Sequence, residues 1–172
     1  ASPISSLGAG FAEVARNEPV LVDIVHVHRG YVSDCTRMFS AGSLSGDWTD
    51  RLDDMVEVGA SVVESLGKGY DCSSAWDRGS SLAAELGHAE HLMGMAPDQA
   101  SFLGHSVGLE LDETPVVARG FDRPLAIGGT MAIEPKVIHS DGAIGTEDTW
   151  VRTDEGMECL TSGADFPLVT EW

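Results

Sequence analysis

Asp23, Asp34, His105, Glu134 and Glu147 are the residues of this chain whose types could do chemistry together. Four carboxylates and one imidazole are the ligand inventory of a two-metal hydrolase. Two divalent cations carry four positive charges, which the four carboxylates balance, so the set is neutral only with metal in it. Asp23 lies inside the apolar run Val20-Leu21-Val22-Asp23-Ile24-Val25, and Glu134 inside Met131-Ala132-Ile133-Glu134-Pro135. An unpaired carboxylate in such a run is costly. His105 stands between Gly104 and Ser106, with Gly108 three residues on; small neighbours let backbone approach a ligand closely. Taken singly, each residue has a blander reading: surface aspartates on a hairpin, a core histidine, carboxylates on a rim. Their joint presence is what suggests metal.

The elements around them must bring distant residues together. Residues 19–28 and 31–39 read as strands of a hairpin, from their β-branched content and the intervening Arg29-Gly30. A turn centred between His28 and Arg29 would set Asp23 directly opposite Asp34, with Cβ atoms about 4.5–5.5 Å apart. Bare carboxylates that close repel, and a shared dication removes the conflict. Thr36 is two residues from Asp34, on the same face, where its hydroxyl could support a ligand from behind. His26 and His28 alternate to the other face and read as structural or exposed.

A short helix is suggested around 11–15. Residues 47–66 repeat Leu52, Met55, Val56, Val62, Val63 and Leu66 at helical steps. A second helix is expected from Ser74, where Ser74-x-x-Asp77 resembles a capping box, to about residue 87. Strands are expected at 130–138, 149–153 and 158–161. His88-x-x-His91 near the second helix's end reads as a solvated face, and His139 as a turn residue. The order of strands, two helices and strands indicates an α+β domain with helices on one face of a largely antiparallel sheet.

Composition narrows the function classes. The chain has 172 residues, with 28 acidic against 10 basic side chains and a net charge of −18. One domain is expected over 1–172. Such a surface repels phosphate backbones, so no nucleic-acid partner is expected. No apolar run reaches transmembrane length, so neither is a membrane. Cys35, Cys72 and Cys159 have neither zinc spacing nor an even count, and read as reduced thiols of a cytoplasmic protein.

Four stretches resemble the pita-bread metallopeptidases, which include methionine aminopeptidase, Xaa-Pro aminopeptidase and prolidase. They are Leu21-Val22-Asp23 with Gly30-Tyr31-Val32-Ser33-Asp34-Cys35-Thr36-Arg37; Gly104-His105-Ser106-Val107-Gly108-Leu109 with Glu113-Thr114-Pro115; Ile133-Glu134-Pro135; and Glu147-Asp148-Thr149 with Gly156 and Leu160-Thr161. Any one is weak; four in order, spread over about residues 19–162, are specific. The flavour is nearer the prolidase and Xaa-Pro aminopeptidase branch. The resemblance implies a pita-bread (creatinase/aminopeptidase-like) fold, with helices outside a curved, largely antiparallel sheet. It implies two divalent ions of Mn, Co, Fe or Zn. Asp23 would chelate one ion, Asp34 and Glu147 would bridge both, and His105 and Glu134 would complete the second. A metal-bridging hydroxide would attack a peptide or dipeptide substrate, and Glu134 would carry the proton to the leaving amine.

Two departures from the family pattern matter. Where the family has a substrate-contacting histidine, this chain has Asp112, placed here among the catalytic residues. An ionised Asp cannot donate a hydrogen bond to an oxyanion. Family members also carry helices and a strand ahead of the first Asp motif. The chain is therefore expected to be the C-terminal part of a catalytic domain, lacking the N-terminal helices, and either inactive alone or completed as a homodimer. The alternatives are a creatinase-like or small-molecule lyase or hydrolase activity, and a binding module that has lost catalysis.

Overall fold

A computed structural model describes residues 11, 13–161 and 167–172. In chain order the elements are β1 (Val20–His28), β2 (Tyr31–Ser40), α1 (Gly46–Gly67), α2 (Cys72–Glu85), β3 (Gly104–Ser106), β4 (Glu113–Val116), β5 (Thr130–Ile133), β6 (Lys136–His139), β7 (Gly142–Gly145), β8 (Asp148–Thr153), β9 (Gly156–Cys159) and β10 (Val169–Glu171). The α+β architecture expected from the element order is the one observed. Of the short helix suggested at 11–15, residue 12 lies outside the described residues and 13–15 are irregular.

The first hairpin turns at Arg29 and Gly30, both at positive φ (53° and 87°). That conformation matches the twist of the flanking strands; Gly30 enters it without steric cost, and Arg29 is carried along. His28 therefore pairs with Tyr31, and Asp23 lies opposite Thr36 while Asp34 lies opposite Val25. The direct Asp23–Asp34 pairing expected above is thus corrected to a diagonal one. The turn centre moved by one residue, which shifts the register by two, and an even shift keeps both acids on the same face.

β2 continues the sheet to β10, its parallel neighbour, in the order β1-β2-β10. The second sheet is antiparallel, in the order β4-β3-β5-β8-β9, and β6 pairs with β7 as a separate hairpin. The strand expected over 130–138 is broken in two: Ile133 ends β5 and Lys136 begins β6, with Glu134-Pro135 between them. Proline lacks the N–H that a continuous ladder needs.

α1 buries Trp48, Leu52, Met55, Val58, Val62 and Leu66 at three- and four-residue steps, the stripe a sheet-covering helix needs. It lies across β5 to β9 and packs α2 beside it. α2 is capped not by Ser74 but by Asp71, whose carboxylate accepts the Ser74 N–H at 2.7 Å. Met38, Met131 and Ile144 from the strands, with Leu103 just ahead of β3, complete the core. His88 is buried rather than solvated, with Nε2 2.7 Å from an Asp54 oxygen, and His91 stacks on His139 with centroids 3.8 Å apart. His26 and His28 are exposed.

The two larger sheets meet where β2 runs beside β8. Asp34 N–H donates to Thr149 Oγ1 (3.0 Å), and the same hydroxyl donates to the Asp34 carbonyl (2.8 Å). Thr36 N–H donates to the Glu147 carbonyl at 3.2 Å, and Val32 N–H to the Gly108 carbonyl at 2.7 Å. The acidic cluster sits on this seam.

Candidate metal centre

Each side chain reaches the seam for a local reason. Asp34 is in the buried stretch of β2, and its backbone is held on both sides by the Thr149 hydroxyl. His105 is the middle residue of β3. A Cβ on the preceding Gly104 would collide with the Ala132 carbonyl of β5, so glycine permits the close pairing that places the imidazole. The pairing with β4 shifts register between His105 and Ser106, a bulge of the kind that re-aims a side chain. Glu134 occupies the break after β5, and Glu147 precedes β8, bridged to Thr36.

The result is a tight cluster. Asp34, His105 and Glu147 each offer a ligand atom, all within 4.8 Å of one another. His105 Nε2 is 3.9 Å from Asp34 Oδ2, 3.3 Å from Glu134 Oε1 and 3.6 Å from Asp112 Oδ1. Its Nδ1 is 3.2 Å from the Ser106 carbonyl. Donation there means that, once the ring is neutral, Nε2 is the lone-pair nitrogen, pointed at the acids. Asp34, His105, Glu134 and Glu147 are all buried, at 4, 5, 8 and 1 % exposure. Asp112 is at the mouth, its side chain 75 % exposed. Asp23 is exposed on β1, beside Asp34 but outside the ligand triplet. Thr36 Oγ1 donates to Glu147 Oε2 at 2.6 Å, a contact from behind the cluster.

The electrostatics show the cost of this crowding. Burial, then the Glu147 and Asp23 charges, push the Asp34 carboxyl from its ordinary 3.8 up to about 7. At His105 burial works against the cation, but Glu134 and Asp112 overcome it and raise the imidazole from 6.5 to about 9. Burial raises Glu147 despite the ammonium beside it, whereas His105 and Lys136 outweigh burial and lower Glu134. Asp34 Oδ1 is buried and meets no hydrogen-bond partner among the described residues. A buried carboxylate oxygen without a donor, on a residue clustered with an imidazole and a second acid, is what a divalent cation satisfies. The donor set of oxygens and one imidazole therefore fits a hard or borderline dication.

Sequence reasoning passed over four residues that build this centre. Lys136 Nζ lies 2.7 Å from Glu134 Oε2 and 2.9 Å from Glu147 Oε2. Arg37 is buried and donates to the Thr36, Glu147 and Thr161 carbonyls and to Asp148 Oδ1 at 2.8 Å. Asp148 also accepts from Thr161 Oγ1 at 2.6 Å, and Thr149 holds Asp34 as described. The signal for Lys136 was its place two residues from Glu134, which gives the same facing along extended chain. For Arg37, Asp148 and Thr149 the signal was adjacency to the proposed ligands. The thiols lie apart from this ligand set; burial raises Cys35, and Cys72 to about 11.

Comparison with known proteins gives a consistent result. The model of metallopeptidase family M24 matches residues 6–154. An Xaa-Pro dipeptidase of Lactobacillus delbrueckii subsp. lactis is 28 % identical over 159 residues, covering 90 % of this chain and 40 % of the relative. The X-Pro aminopeptidase from Thermotoga maritima MSB8 superposes over 99 % of this chain and 46 % of its own, with a TM-score of 0.87 at 22 % identity. The prolidase from Pyrococcus horikoshii OT3 does so over 94 % and 46 %, with a TM-score of 0.80 at 27 % identity. The chain thus spans less than half the length of each of these proteins.

Proposed function

The chain belongs to metallopeptidase family M24, and on that premise we propose that it is the catalytic part of a dinuclear, metal-dependent peptidase acting on Xaa-Pro dipeptides or peptide N-termini. The observation that carries this reading is the convergence of buried Asp34, His105 and Glu147, with Asp34 Oδ1 left without a hydrogen-bond partner among the described residues. Asp23 and Asp34 would hold one divalent ion, and His105 and Glu134 the other, with Asp34 and Glu147 shared. Bound ions of this kind polarise a scissile carbonyl and bring the pKa of a water toward neutrality.

The protein's own groups supply the rest. Glu134 is the base in this reading, taking the water's proton and passing it to the leaving amine. Its environment suits the first task, because His105 and Lys136 keep it ionised. Thr36 and Arg37 fix Glu147 through its side chain and its carbonyl. Asp112, exposed beside His105, offers carboxyl oxygens that accept hydrogen bonds. Its role here is to receive the substrate's ammonium or amide N–H.

The experiment is a panel of Xaa-Pro dipeptides and Xaa-Pro-containing peptides, assayed with Mn, Co, Fe or Zn on wild type and Glu134→Gln. We expect hydrolysis by wild type and a loss of about 10²–10⁴-fold in kcat for Glu134→Gln, with folding retained. Metal uptake without cleavage of any panel member would instead favour a creatinase-like small-molecule activity, and no metal uptake a binding module. The proposal extends to a cytoplasmic enzyme that works as a homodimer, with twice the chain mass expected in sedimentation. Among the described residues no helix is long and apolar enough to cross a membrane. The net charge of −18 supports the exclusion of nucleic acid.

A further inference from the structure

Asp112 reaches the mouth of the centre from the loop 107–112, which joins β3 to β4. A loop holds a substrate group well only if its own backbone is already fixed, since ordering it on binding weakens that binding. The core does not fix this loop through its leucines: Leu109 is 70 % and Leu111 38 % exposed. Polar ties do so instead. At the base Ser106 pairs with Glu113, the first residue of β4. The Glu113 side chain folds back over the loop, and its Oε1 accepts the N–H groups of Leu109 at 2.8 Å and Glu110 at 2.9 Å. Gly108 N–H donates to the Glu110 carbonyl at 3.1 Å, and the Gly108 carbonyl accepts the Val32 N–H of β2. A Cβ at Gly108 would stand 3.3 Å from Glu113 Oε1, so the glycine leaves the carboxyl group its room. The N–H groups of 108, 109 and 110 are thus all satisfied, two of them by one side-chain oxygen. Beyond this clamp the chain passes Leu111 and delivers Asp112, with Oδ1 3.6 Å from His105 Nε2.

We propose that Glu113 is a positioning residue for substrate capture: by accepting the Leu109 and Glu110 N–H groups it holds the 108–111 turn in one shape, and so keeps Asp112 set over the centre to receive the substrate's amino group. This rests on the peptidase reading and on the role given there to Asp112. Glu113 acts through the loop and not on the substrate. Its loss therefore weakens capture and leaves the bond-breaking step to Glu134 and the metal ligands. The clamp needs an acceptor oxygen at the right reach, not a formal charge. Glutamine keeps that oxygen, aspartate holds it one carbon short, and alanine has none.

The test compares wild type with Glu113→Ala and Glu113→Gln, each also in the Asp112→Ala background. Amide hydrogen exchange is followed by NMR, and kcat and KM are measured with Mn2+ on the Xaa-Pro panel. In Glu113→Ala we expect exchange at Leu109 and Glu110 to quicken at least about tenfold while amides of α1 and β5 keep their protection. KM should rise about tenfold with kcat within about threefold, the mark of lost substrate binding. Glu113→Gln should restore both readouts. In the Asp112→Ala background Glu113→Ala should add nothing to KM, because the two residues act as one unit. Unchanged exchange overturns the inference, and so do an unchanged KM, additive effects of the two substitutions, or a Glu113→Gln protein as impaired as Glu113→Ala. Should Glu113→Ala fail to fold, Glu113→Asp takes its place with the same expected results. Wild type that cleaves no panel member overturns the peptidase reading and this inference with it. Wild type that cleaves, with Glu113 variants that match it, overturns this inference alone.

Discussion

Asp34 and His105 are both held away from their ordinary protonation, and in the same direction. Asp34 is raised from 3.8 to about 7 by burial, Glu147 and Asp23; His105 is raised from 6.5 to about 9, Glu134 and Asp112 overcoming burial. For Asp34, the native metal-free state binds its proton more tightly than the unfolded chain does. Stability therefore falls as pH rises from about 4 to 7. For His105 the contribution is complete below its unfolded value, about 6.5, and is lost as pH rises through about 9. A metal ion needs both groups deprotonated, so its binding releases protons, and its stabilising effect grows with pH over that window. Calorimetric melts with and without Mn2+ should show a larger metal-induced rise in Tm at about pH 8 than at about pH 5.5. An equal rise at both values would mean that these two groups are not ligands. Asp34→Ala should abolish metal loading, read by atomic emission; retention of both ions would remove Asp34 from the site.

β3 is only three residues long, and its position against β5 depends on Gly104. Gly104→Ala places a methyl against the Ala132 carbonyl and forces the strands apart. Overpacking of this kind costs about 1–3 kcal/mol. We expect lower stability in denaturant melts together with weaker Mn2+ binding, because His105 moves with the strand. Unchanged Mn2+ affinity in a destabilised Gly104→Ala protein would show that the imidazole is not placed by this pairing. The chain's elements were legible to different degrees. α1 was plain because its apolar stripe is long and regular, and Glu134 and His105 stood out because polar residues in apolar or glycine-flanked strands need partners. The hairpin register was not legible, because it turns on Arg29 accepting positive φ, which no side-chain preference announces. The cap of α2 was misplaced by three residues, since Asp71 and Ser74 are both good capping residues. Lys136 was passed over for a different reason: a lysine reads as solvated surface, and although its place two residues from Glu134 pointed to that acid, only tertiary packing brings Glu147 to its tip as well.

At the scale of the molecule, metal binding should behave as folding energy. A ligand at about 100 times its Kd stabilises the native state by about 2.7 kcal/mol. In a chain of this size each kcal/mol moves Tm by roughly 2–4 °C. Saturating Mn2+ should therefore raise Tm by roughly 5–10 °C, and chelation should reverse it; a Tm indifferent to both would mean that no ion binds the native state. The ligands come from separate sheets: Asp23 and Asp34 from the β1-β2-β10 sheet, His105 and Glu134 from the sheet that holds β3 and β5. Between them, the Thr149 hydroxyl, the Thr36–Glu147 bridge and the buried Arg37–Asp148 ion pair are polar ties. An ion seated there acts as a clasp across two plates. Its rate of escape is then governed by how often the plates breathe apart, so slow metal exchange would report mechanical stiffness of the joint rather than ligand chemistry.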